Sequence, residues 1–140
     1  MGDYQPHFDH DYSRGQVGEN LVDTFLSALS GSRIETKTDY RVTETGNVYV
    51  ETWQYNNPDE SDKRQSGINV TTADFWCFAS PDASGFITIS TKALKELIHE
   101  TNPREVRQPI SSDKTNASIG RIIPVVDILR KLKLYKDAVD

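Results

Sequence analysis

Sulfur and histidine are scarce in this chain, which has one cysteine, one methionine and three histidines in 140 residues. The lone Cys77 excludes an intramolecular disulfide and any thiolate zinc cluster within one chain. It stands in the apolar run DFWCFA, where a thiol serves as a small core side chain. A nucleophilic cysteine would need an imidazole beside it. His7 and His10 fall in a polar leader and His99 on a helix-like segment, so nothing nominates such a pair. Long apolar runs are also missing, and none approaches the roughly 20 residues of a membrane helix, so no membrane association is expected. The first residues, MGDYQPHFDHDYSRG, are polar and acidic without an apolar signal-peptide core. Pro6 occupies the place where a myristoylation signal carries Ser or Thr, and the expectation is a cytoplasmic protein. Internal repeats, a P-loop, a glycine-rich dinucleotide fingerprint and a serine elbow are all absent. A net charge of −5 argues against a protein that coats nucleic acid by charge alone.

What is present fits one globular domain, with 36% hydrophobic and 26% charged residues. Such a length can bury about two-thirds of its unfolded surface. Charge is uneven: residues 1–91 hold 6 Lys and Arg against 14 Asp and Glu, and residues 92–140 hold 10 against 7. An acidic part able to hold metal and a basic part able to meet phosphate is compatible with a metal-dependent enzyme acting on DNA. An irregular leader is expected over 1–14 and an α/β domain over 15–140. From Gly15 to Ser30, Val17, Leu21, Val22, Phe25, Leu26 and Leu29 recur at helical spacing, with Glu19 at the margin of that stripe. Arg33–Arg41 and Val48–Tyr55 read as strands of an antiparallel hairpin, followed by a charged loop, Asn56 to Gly67, of the length reserved for a mobile or substrate-facing element. Asp74–Ser80 and Gly85–Ser90 read as a second strand pair around the Pro81–Ser84 turn, and Ser90 or Thr91 as the cap of a helix. Thr101–Gly120 reads as irregular, and Asp127–Ala138 as an amphipathic basic helix with Ile128, Leu129, Leu132 and Tyr135 inward.

The chemistry concentrates in RIETKTDYRVTETGNVYVETWQ. Alternate residues of a strand point the same way, so Glu35, Lys37 and Asp39 form one polar row, and Glu51 follows on the next strand. Metal-dependent nuclease sites need carboxylates for the cation and a lysine near the attacked phosphate. The bland alternative is an exposed face of surface ion pairs worth under about 1 kcal/mol each. Ser66-Gly67 is either a plain turn or a place where backbone amides approach a phosphate. Asp74 caps local amides or orients a site residue. Trp53 and Trp76 read as core, with base stacking the alternative for Trp53. Arg104, Arg107 and Lys114, read as lying on a loop, are the candidate phosphate contacts along with Ser66.

The order of a helix with Glu19, a strand with Asp39 and a strand with Glu51 resembles the PD-(D/E)XK nuclease superfamily. So do shorter pieces: HFDHDY followed by Gly-x-x-Gly-Glu, Thr45-Gly46-Asn47, Ser66-Gly67-Ile68 through Thr71-Thr72-Ala73-Asp74-Phe75-Trp76, and Ser118-Ile119-Gly120. These last pieces are similar to small phage and mobile-element members. The resemblance implies a restriction-endonuclease-like fold, a single mixed sheet flanked by helices. It implies a Mg2+- or Mn2+-dependent endonuclease that hydrolyses DNA phosphodiesters, with Glu19, Asp39 and Glu51 as metal ligands and a homodimer to cut both strands. The family's lysine two residues after the glutamate is replaced by Trp53, and Lys37, two before Asp39, is the substitute that the resemblance offers. Glu35-Thr36-Lys37 is itself a Glu-x-Lys match in another register. The alternative is a nuclease-fold module that has lost catalysis and binds DNA or a protein partner.

Overall fold

The computed structural model describes residues 16, 19, 20, 22–38, 41–82, 84–110 and 116–132. Contacts divide the chain into two units, one of residues 1–32 with 133–140 and the other Arg33–Leu132. In the first unit residues 22–29 are helical (α1) and end where Ser30 N–H bonds Leu26 O at 3.2 Å. Val22 and Leu26, two residues of the apolar stripe, are each 57% exposed.

The second unit is a mixed α/β fold with two sheets. The first sheet has the order β1 (Ile34–Thr38), β4 (Phe75–Ala79), β5 (Phe86–Ser90), and the second the order β3 (Arg64–Gln65), β2 (Asn47–Tyr55), β7 (Ala117–Pro124), β6 (Glu105–Gln108). This replaces the single central sheet expected from the sequence. The expected hairpin of the first two strands is also corrected. Residues 42–45 coil into the helical turn α2 (Val42–Thr45), closed by Gly46 at φ 69° with its N–H on Val42 O at 2.7 Å. β1 pairs instead with β4, in parallel, from Ile34↔Phe75 to Thr38↔Ala79. Reciprocal bonds fix that register: Arg33 N–H donates to the Asp74 carboxylate at 3.0 Å, and Asp74 N–H donates to Arg33 O at 2.8 Å. Asp74 therefore caps an amide, one 41 residues away in the chain.

The second strand pair forms as expected, β4 antiparallel to β5, and Ser90 Oγ caps α3 (Thr91–Thr101) by accepting from Ala93 N–H at 3.1 Å. The segment read as irregular after α3 contains β6 and the first half of β7, and the two strands pair antiparallel from Glu105↔Arg121 to Gln108↔Ser118. Arg107 thus lies on a strand, and Arg104 directly before it. β7 runs through Pro124, which ends the strand and passes into α4 (Val125–Leu132). Ile128 is buried there as expected, whereas Leu129 is 50% exposed. Tyr135 lies outside the described residues.

One core joins both sheets and both helices: Val48, Val50 and Ile123 from the second sheet, Trp76, Phe78 and Ile89 from the first, Leu94 and Leu97 of α3, and Ile128 of α4. Alternation buries Val48, Val50 and Thr52, the two valines in this core, and leaves Tyr49 and Glu51 on the other face of β2. The charged loop after β2 folds on its own carboxylates. Asp62 accepts from Asn56 N–H at 3.0 Å and Asn57 N–H at 3.0 Å, and Asp59 from Ser61 N–H at 3.0 Å.

Candidate functional site

On β1 the odd positions Glu35 and Lys37 are half-buried while Ile34, Thr36 and Thr38 are exposed, so the two charged side chains share a face. Lys37 Nζ lies 2.6 Å from Glu35 Oε1 and 5.7 Å from the centre of the buried Trp76 ring. The face opens on two cavities. One, of about 480 Å3, is lined by Glu35, Lys37, Glu51, Ser66 and Trp76 among others, and the other, of about 370 Å3, by Lys37, Tyr49, Glu51, Gln54 and Ser118 among others. Lys37 and Glu51 line both. β1 is the edge of its sheet, and β2 meets the short β3 only at Trp53 and Gln54. The polar faces of two different sheets therefore supply one site.

Glu51 is the most elaborately held residue of the site. Its register with β7 shifts between Glu51↔Gly120 and Trp53↔Ile119, leaving Thr52 as the extra residue of a bulge, buried with its Oγ1 on Ile119 O at 3.1 Å. The bulge lets Gln54 turn back to Glu51, with Nε2 at 3.3 and 3.2 Å from the two carboxylate oxygens. Ser66 Oγ donates to Glu51 Oε2 at 2.6 Å. Gly67, at φ 52°, lies against the Glu51 backbone so closely that a Cβ there would stand 2.1 Å from Glu51 O. Ile68 follows, buried at 3% exposure. Each residue of Ser66-Gly67-Ile68 thus has a task around Glu51: a hydrogen bond, a close approach and an anchor.

Ser118-Ile119-Gly120 does the same for Tyr49. The phenol and Ser118 Oγ are 2.8 Å apart, and a Cβ on Gly120 would meet the Tyr49 ring at 2.5 Å. Burial pushes the Tyr49 phenol above the ordinary tyrosine range, the Ser118 bond opposes this, and the negative charge of Glu51 adds to it. At neutral pH Tyr49 is a neutral hydrogen-bonding group beside a carboxylate. Tyr49, Gln54 and Ser118 were not among the sequence-derived candidates. The period-2 spacing of Tyr49 and Glu51 is the signal that places Tyr49 there.

The remaining candidates are distributed as follows. Glu19 lies in the first unit, where its Oε2 accepts from Gln16 Nε2 at 3.2 Å. Asp39 and Lys114 lie outside the described residues. Arg107 is engaged by two carboxylates, its Nε 2.9 Å from Glu60 Oε1 and its NH1 3.2 Å from Glu105 Oε1, and these raise its pKa, Glu60 most. Arg104 is exposed. Trp76 is core, and Trp53 is half-buried beside Tyr55, Ala117 and Ile119, with Lys63 Nζ 5.0 Å from its ring centre. Among the described residues no three Asp, Glu, His or Cys side chains gather as a metal cluster. Glu35 and Glu51 are two carboxylates on one cavity, and a hard cation such as Mg2+ is commonly held by one or two carboxylates together with waters and substrate phosphate. Among the described residues no helix is long and apolar enough to cross a membrane. No family model, curated protein or solved structure matches this chain.

Proposed function

We propose that this protein is a metal-dependent, restriction-endonuclease-like DNA endonuclease whose site is built on Glu51 and Lys37. One observation carries the reading: these two residues line both cavities, and Ser66 and Gln54 bond the Glu51 carboxylate while Gly67 packs against its backbone. An exposed ion pair would need no such support. Glu51 and Glu35, the two carboxylates on one cavity, would hold Mg2+ or Mn2+, with Asp39 the further ligand that the sequence offers; the ion would supply an acidified water and charge neutralisation at phosphate. Lys37 sets an ammonium where charge builds on the phosphate oxygens. Tyr49 offers a neutral hydroxyl for hydrogen bonding without adding charge. Ser66 and Gln54 hold the carboxylate in one orientation, the service that outer residues perform for metal ligands.

The test is nicking of supercoiled plasmid with Mg2+ or Mn2+ by the wild type, Glu51→Gln and Lys37→Gln. Activity in the wild type and a loss of about 100-fold or more in both variants is expected, whereas an inert wild type or fully active variants overturn the reading. The alternative, a DNA-binding module without cleavage, draws on Trp53 two residues after Glu51. It is distinguished by salt-sensitive retention of DNA by an inert wild type.

A further inference from the structure

A third cavity, of about 720 Å3, opens beside Thr52, on the face of β2 opposite to Glu51. One flank is a single face of α3, Lys95, Ile98 and His99 at helical spacing, continued by Asn102, the residue that caps the helix C-terminus. The opposing wall is Trp53 of β2, with Gln65, Asn69, Glu105 and Arg121 around it. Its volume lies within the roughly 300–1,000 Å3 of small-molecule sites.

The chemistry of this wall is selective. Lys95 stands exposed on its helix. Arg121 gives NH1 to two neutral acceptors, Asn102 Oδ1 at 3.3 Å and Pro103 O at 2.8 Å, so its charge is oriented without being cancelled by them. The one carboxylate of the lining, Glu105, is drawn toward Arg107 NH1 at 3.2 Å. In a chain of net charge −5 this cavity is therefore a local basic site. It also carries a tryptophan ring and three carboxamides: Gln65, Asn69, whose Nδ2 donates to Thr52 O at 3.0 Å, and Asn102, whose Oδ1 accepts from Arg121. Cations alone suit any anion, and an indole alone suits any flat apolar surface. Cations, an indole and carboxamides together match a molecule with a phosphate, an aromatic face and a hydrogen-bonding edge.

We propose that this cleft binds a nucleotide unit, its base stacked on Trp53 and its phosphate held by Lys95 and Arg121. The unit is either a residue of a single strand or a free nucleotide. The inference uses none of the Glu51 chemistry, so it stands or falls apart from cleavage.

The experiment uses the full chain in EDTA, where metal-dependent cleavage is silent, and measures binding of fluorescein-labelled (dA)8 by anisotropy and of deoxyadenosine 5′-monophosphate by calorimetry. Saturable binding of the strand identifies a strand site, and saturable binding of the monophosphate alone identifies a free-nucleotide site. In either case Lys95→Gln weakens affinity about tenfold. For the strand it also lowers the slope of log K against log salt by about one. Trp53→Leu, which keeps apolar bulk and removes the ring, weakens binding by roughly tenfold. If Trp53→Leu does not fold, Lys95→Gln, on an exposed helix position, decides alone. Failure of both probes to bind, or wild-type affinity and salt slope in Lys95→Gln, overturns the proposal. Plasmid nicking by the same preparation reads the cleavage proposal separately.

Discussion

At the scale of single residues, Glu51 is defined by what surrounds it. Ser66→Ala removes one hydrogen bond to a half-buried carboxylate, a stability cost of about 1 kcal/mol that thermal unfolding would register as a small shift. If Glu51 holds a cation, the same change weakens metal dependence by about 10–100-fold, the usual effect of removing a group that orients a ligand. A purely structural serine would show the first effect without the second, so a Mg2+ titration of nicking separates the two roles. Gly67→Ala is harsher: the added Cβ would overlap Glu51 O, and φ 52° disfavours any L side chain. Loss of about 2–4 kcal/mol is expected, read by denaturant unfolding. The Ser-Gly pair was legible in the sequence as a closing turn. Its work on Glu51 was not, because contact between residues 15 apart across a loop leaves no periodicity to read. Lys37 illustrates the converse. Alternation along the strand correctly put it on one face with Glu35, but its proximity to Glu51 depends on how two sheets meet.

At the scale of elements, local signals were readable where both partners lie close in sequence. The β4 and β5 hairpin and the Ser90 cap follow from a four-residue turn and a side chain bonding three residues ahead. The β1 and β2 hairpin failed because turn residues at Gly46 and Asn47 suit a hairpin as well as a helical cap, and β1 found a better register with β4 through Asp74. β6 and β7 were missed for a related reason. Prolines at 103 and 109 flank β6, and β6 lies at the sheet edge, where a strand needs little apolar patterning. The charged loop makes a prediction at this scale. Asn57 N–H foremost, then Asn56 N–H, holds the Asp62 carboxyl below the ordinary aspartate range. With its folded pKa depressed, Asp62 stabilises the loop above the unfolded aspartate value of about 3.9, and that contribution disappears as pH falls through the lower folded value. Amide shifts of Asn56 and Asn57 followed by NMR should therefore titrate together, below pH about 4. In Asp62→Ala they should not titrate in concert.

At the scale of the whole second unit, the question is whether two sheets make one cooperative structure. Among the described residues the sheets share no ladder of hydrogen bonds, and their side chains meet in one cluster: Val48, Val50 and Ile123 from one, Trp76, Phe78 and Ile89 from the other, together with Leu94 of α3. Leu94 is fully buried, and truncating such a leucine costs about 2–5 kcal/mol through lost transfer energy and the cavity left behind. Because Leu94 belongs to the cluster that both sheets share, Leu94→Ala should reduce the opening free energy of β2 and of β5 amides by the same amount in native-state hydrogen exchange if the two sheets form one cooperative unit. Equal acceleration means that the Glu51 face and the Lys37 face unfold together, which a site assembled from both sheets requires. Acceleration confined to β4 and β5 would mean that the sheets are separate cooperative units, and the distance between Lys37 and Glu51 would then be free to vary.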